Sequence, residues 1–159
     1  MGGPLDGIRI VNLSVALTGP LAAGMLVDQG ADCVKVEQAP TGDVVRWLGS
    51  TVAGISAMFQ AANRGKRSIV LDLRQADGLA ILRDLVADAD VLVQNFRPGV
   101  AERLGVAYDD IRSIRPDIVY ADLTGFGPSG PYSPTACASA SISQAPSRSF
   151  NSTIPATRA

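Results

Sequence analysis

Residues 9–37 read RIVNLSVALTGPLAAGMLVDQGADCVKVE, and they decide the fold. Arg9–Leu13 is short, apolar and rich in β-branched residues, as a buried strand requires. Pro20–Gln29 carries Leu21, Met25 and Leu26 on one helical face. Pro20 suits a first helical turn, and Gly30 suits the position just past a helix end. Asp32–Glu37 returns to a strand pattern. Strand, helix and strand within thirty residues predict a βαβ unit with parallel strands.

The alternation continues outward. The spacing of Ile55, Met58, Phe59 and Ala62 predicts a helix over Gly54–Asn63. Ser68–Leu73 reads as a third strand. The next helix is expected to be capped by Asp77, with Leu79, Leu82, Leu85, Val86 and Ala89 as its apolar stripe. Val91–Gln94 is a fourth strand. Helical turns follow at Val100–Leu104 and Asp109–Ile114, the second capped by Asp109 and stopped by Pro116. Ile118–Leu123 is a fifth strand. The fold class is therefore α/β, a Rossmann-like parallel sheet with helices on both faces. Ligands of such sheets bind beyond the carboxyl ends of the strands, so the loops there carry the candidate site.

The chain has 159 residues, 47% hydrophobic and 18% charged, which is enough for one folded domain with a real core. Its 14 basic and 15 acidic residues give no excess that argues for nucleic acid or an anionic membrane as partner. Zero His removes Ser-His-Asp and Cys-His catalysis and most zinc sites. Cys33 and Cys137 form no CxxC and no metal spacing, which fits a reducing cytoplasm. No apolar run is long enough to span a membrane, and the amino terminus lacks a signal-peptide layout.

Composition changes near residue 133. Residues 1–133 hold all 15 acidic and 12 of the basic residues; residues 134–159 hold only Arg148 and Arg158. Fifteen of those last 26 residues are Ser, Thr or Ala, without a helical or strand period. The expected organisation is an α/β domain over 1–133 and a Ser/Thr/Ala-rich tail over 134–159. The tail is expected to be disordered, as a flexible extension or a segment read out of frame.

Three loops attract attention. Val15–Pro20 joins the first strand to the first helix, where backbone N–H groups could meet a phosphate or the segment could be an ordinary turn. Asn63-Arg-Gly-Lys-Arg67 is a basic cluster, either a solvated turn or a phosphate cradle. Asn95-Phe-Arg-Pro-Gly99 sits at a strand's carboxyl end and could stack on a purine; the plainer reading tucks Phe96 into the core. Together these suggest a ligand with phosphates and a flat ring. Gly125–Gly130 matches G-x-G-x-x-G. Pro128 and Pro131 block the helix that should follow, and no acidic residue occurs after Asp122, so a glycine-rich turn accounts for it better than a nicotinamide site. Asp43, Asp72, Asp109, Asp110 and Asp122 form no visible acid–base pair.

Taken in order, LDGIRIVNL, GPLAAGMLVDQGADCVKVE, GDVVRW, NRGKRSIVLDL, NFRPGVAERLGV and TGFGPSGPY resemble the class III CoA-transferase family. That family includes formyl-CoA and carnitine CoA-transferases and α-methylacyl-CoA racemases. The likeness covers roughly residues 4–133. It implies coenzyme A or acyl-CoA as substrate, a carboxylic acid as second substrate, no covalently bound cofactor, no metal, and a homodimer in full-length members. It places CoA contacts at Ala16, Leu17 and Thr18, at Leu71, Asp72, Leu73 and Arg74, at Asn95, Phe96 and Arg97, and at Arg103. Leu17 stands where some transferases have Gln. Gln38 stands where an Arg often approaches the CoA phosphates, which weakens that contact here.

Family transferases use an Asp nucleophile, and racemases pair an Asp with a His; both lie beyond the GFG…GPY motif. No such residues occur after Asp122, so the resemblance implies the amino-terminal, CoA-binding part of a larger enzyme. The alternative is a truncated product or a weak CoA-binding module without turnover.

Overall fold

The structure is a computed structural model that describes residues 2–125 and the backbone of Ser141–Ser143. A six-stranded sheet forms its centre. The strands are β1 (Arg9–Asn12), β2 (Asp32–Gln38), β5 (Arg67–Leu71), β6 (Val91–Gln94), β7 (Val119–Asp122) and β8 (Ser141–Ser143). Their order is β5-β2-β1-β6-β7-β8, with the first five parallel and β8 antiparallel to β7. Two short strands, β3 (Thr51–Val52) and β4 (Ile55–Ser56), make a separate hairpin.

Among the described residues five helices connect the strands: α1 (Thr18–Val27), α2 (Ala57–Asn63), α3 (Ala76–Ala87), α4 (Val100–Leu104) and α5 (Tyr108–Ile114). A 3-10 turn occupies Val44–Trp47. Alternate residues of each strand point to opposite faces, so the sheet builds two cores. Val11, Leu13, Val36 and Leu92 pack with Leu82 and Val86 of α3 and Ile111 of α5. Ile10, Cys33 and Val93 pack with Ala23 of α1 on the other face. Helices thus cover both faces, as the near-continuous apolar strands demand.

Several local expectations are corrected. The segment 54–63 is not one helix. Ala53 and Gly54 both have positive φ, 52° and 78°, which makes the tight turn of a hairpin. The helix starts only at Ala57, because the Ser56 hydroxyl caps it by accepting from the Phe59 N–H at 3.0 Å. Asp77 does not cap α3: Gln75 occupies that position without a side-chain bond, and Asp77 lies in the first turn, where its charge meets the positive end of the helix dipole. Asp109 does not cap α5 either; Asp110 accepts from the Ala107 N–H at 3.1 Å.

Within the expected tail, Ser141–Ser143 pairs with Tyr120–Asp122 of β7, although polar composition gave no strand signal. The rest of 134–159, and all of the G-x-G-x-x-G segment after Gly125, lie outside the described residues.

β2 and β5 lie to one side of β1, and β6 lies to the other. The chain therefore reverses direction across the sheet between β1 and β6. The crevice at the carboxyl ends of those strands is where an open α/β sheet receives a ligand. No helix among the described residues is long and apolar enough to cross a membrane.

Candidate functional site

A cavity of about 300 Å³ opens at the carboxyl ends of β1, β2 and β5, walled on its far side by α4. Leu13, Val15, Val36, Leu71, Leu73 and Phe96 supply apolar walls; Glu37, Gln38, Asp72 and Arg74 supply polar atoms. Each strand delivers its last residues to the same rim because the strands are parallel and in register, Val36 opposite Ile69 and Gln38 opposite Leu71. The β5–α3 loop can hug the rim because Gly78 has no side chain: a Cβ there would collide with the Asp72 carbonyl oxygen.

Six of the residues singled out in the sequence line this cavity: Gln38, Leu71, Asp72, Leu73, Arg74 and Phe96. Asp72 and Arg74 are joined by two side-chain bonds, Nε to Oδ1 at 2.8 Å and Nη2 to Oδ2 at 3.1 Å. The hydrogen bonds from Arg74 hold the Asp72 carboxyl below its ordinary pKa. Phe96 is half-buried, packs against the core and also lines the cavity. Arg97 and Arg103 are exposed on the β6–α4 loop and on α4, outside the lining.

Ala16, Leu17, Thr18 and Asn95 are also outside the lining, and two of them, Ala16 and Asn95, engage other parts of the chain. Asn95 Oδ1 accepts from the Val15 N–H at 2.8 Å, and Asn95 Nδ2 donates to the Val15 carbonyl at 2.9 Å. The Ala16 N–H donates to Asp43 Oδ1 at 3.1 Å. Two backbone N–H groups that the sequence offered to a phosphate are thus taken by side chains of the protein. Leu17, 44% exposed, precedes α1, and Thr18 is its exposed first residue.

The basic cluster at 63–67 is consumed structurally. It leads into the amino end of β5, and each side chain finds an internal partner. Arg64 donates to Asp28, Arg67 pairs with Asp32, and Lys66 Nζ donates to the Pro20 and Ala62 carbonyls and to Asn63. Burial pushes the Lys66 pKa down to about 8.

A buried polar network lies under the β1–α1 turn, and it was not anticipated. Lys35, 1% exposed, donates to the Ser14 carbonyl at 2.9 Å and stands 2.7 Å from Asp43 Oδ2. Glu37, also buried, accepts from the Asp43 N–H at 2.9 Å and from Arg46 Nε and Nη2, each at 2.6 Å. The Arg46 guanidinium lies 3.8 Å from the centroid of the Phe59 ring. Burial would raise the Glu37 pKa, but the bonds from Arg46, Ser68 and the Asp43 N–H outweigh it and bring it down to about 2. The signal was present in the sequence: Lys35 and Glu37 alternate with valines inside a strand covered on both faces.

The family model described as CoA-transferase family III matches residues 5–149, past the expected boundary at 133. Acetyl-CoA:oxalate CoA-transferase from Acetobacter aceti is 43% identical over 129 residues, 81% of this chain and 33% of that protein. Human succinyl-CoA:glutarate CoA-transferase is 39% identical over 131 residues, 82% of this chain and 30% of that protein. The crystal structure of a CAIB/BAIF family protein from Brucella suis superposes with a TM-score of 0.81 at 42% identity, covering 86% of this chain and 37% of that one. The chain therefore spans about a third of the length of the relatives it matches.

Proposed function

From a chain that belongs to CoA-transferase family III, we propose a specific role: it forms the acyl-CoA-binding part of an enzyme that moves CoA between two carboxylic acids. The cavity at the strand ends is the observation that carries this reading, because Gln38, Leu71, Asp72, Leu73, Arg74 and Phe96 line it together. Leu71, Leu73 and Phe96 suit the faces of a flat purine. Arg74, with Arg97 and Arg103 on the adjoining loop and helix, suits the phosphates. The transferase branch is favoured over the racemases because the relatives reported above are named as CoA-transferases. A free, buried Cys33 and a CoA substrate fit a cytoplasmic setting.

The 159 residues are expected to bind CoA without turning it over. The resemblance implies that the family's nucleophilic Asp lies beyond the GFG…GPY motif, and the 159 residues carry no Asp or Glu after Asp122.

Isothermal titration with CoA, and in parallel with NADH, tests the reading. Saturable CoA binding with no heat from NADH supports it. NADH binding without CoA binding restores the nicotinamide alternative. CoA transfer by the purified chain overturns the expectation of no turnover.

A further inference from the structure

We infer that Asn95 and Asp43 are positioning residues that grip the turn after β1 from both sides and thereby set the shape of the ligand cavity. The inference rests on the CoA reading above and adds to it the residues that hold the turn beside the cavity.

Sheet order makes the grip two-sided. β1 lies between β2 and β6. Asn95 follows β6 and Asp43 follows β2, so their side chains reach the Val15–Ala16 turn from opposite neighbours. Asn95 uses both ends of its amide on Val15, at 2.8 and 2.9 Å. Asp43 Oδ1 accepts from the Ala16 and Val45 N–H groups, both at 3.1 Å. Lys35 completes the set by holding the Ser14 carbonyl while pairing with Asp43. Three successive residues, Ser14, Val15 and Ala16, thus have backbone groups held by side chains from other elements.

The turn needs such support. Ala16 sits at φ 63°, in the left-handed region that costs a residue with a Cβ. A free loop would relax away from it. Val15 lines the cavity, so a relaxed turn would move a wall of the site. A cavity held in shape before binding spares the ligand the ordering cost.

The test uses the whole 159-residue chain, with CoA as the probe. Calorimetry reads affinity, and amide hydrogen exchange reads Val15. Losing two hydrogen bonds in Asn95→Ala is expected to weaken CoA about tenfold and to speed Val15 exchange by at least about tenfold. Exchange at Leu92, in the core, should not change. Adding Ala16→Gly should return about threefold of the lost affinity, because glycine accepts positive φ without cost. A group that only contacted the ligand could not be rescued in this way.

Unchanged CoA affinity alongside faster Val15 exchange overturns the inference. So does weaker binding with unchanged Val15 exchange, since that marks a direct contact. Asp43→Asn, if it folds, should accelerate exchange at Ala16; protection retained there overturns the Asp43 half. A parent chain that shows no CoA binding at millimolar concentration fails at an earlier step, and overturns the ligand reading together with the positioning role.

Discussion

The side-chain amide of Asn95 clasps the backbone of Val15 by both its donor and its acceptor, across eighty residues of sequence. The same clasp ties β6 to β1 at the point where the sheet's winding reverses. An asparagine that the family resemblance assigns to the ligand is thus engaged with the protein's own turn. Its neighbour Phe96 remains on the cavity wall, so the loop divides its labour between holding the scaffold and lining the cavity.

Lys35→Met should destabilise the chain by about 3 kcal/mol, because it leaves Asp43 charged and buried without its cation. Urea unfolding followed by circular dichroism checks this. A change near zero would mean that Asp43 is sufficiently stabilised by the Ala16 and Val45 N–H groups alone.

Glu37 predicts an acid-sensitive fold. Its native pKa, about 2, lies below the ordinary 4.5, so its unfolded form binds protons first as pH falls. The stability it contributes is complete above pH ~4.5 and is lost progressively down to about 2, to the extent of roughly 3 kcal/mol. Unfolding free energies measured from pH 6 to pH 2.5 should show that slope. Glu37→Gln should be less stable at pH 6 and should lose this component of the slope.

Gln38→Arg should tighten CoA binding about threefold to tenfold at low salt, by adding a charged donor at the rim of the cavity. The gain should shrink at ~0.5 M salt, as a partly exposed ion contact requires. Affinity that does not respond to the added charge would place the phosphates away from residue 38.

Cys33 is predicted to be unreactive in the folded chain. Burial pushes its thiol pKa up to about 11, which leaves almost no thiolate at neutral pH. In a Cys137→Ser background, a disulfide reagent should label Cys33 only at the rate of unfolding. Rapid labelling of native protein would contradict the closed packing of Cys33 against Ala23 and Ile10.

Leu82→Ala should cost about 2–5 kcal/mol, since Leu82 is fully buried between α3 and the sheet. The loss should appear in thermal melts without altering CoA affinity at temperatures where the variant is folded, because Leu82 lies outside the cavity lining.

The sequence by itself determined the parallel α/β architecture. Apolar runs such as Val91–Gln94 and stripes such as Leu79, Leu82 and Val86 carry the strand and helix periods locally, so neighbouring residues suffice to read them. It also marked the loop that carries Phe96 as a part of the strand-end rim, because parallel strands bring their carboxyl ends together, while the β5–α3 loop was marked only through the family resemblance. What tertiary structure alone decided was the use of the polar groups. The cations at 64–67 turned to Asp28, Asp32 and backbone carbonyls, and Asn95 turned to Val15. Lys35 and Asp43 joined beneath the turn. A hydrogen bond or ion pair depends on which distant atoms arrive within about 3 Å, and that is fixed by sheet order and helix packing rather than by any local pattern. Residue type announces that Asn95 must find partners; only the fold selects a backbone eighty residues away.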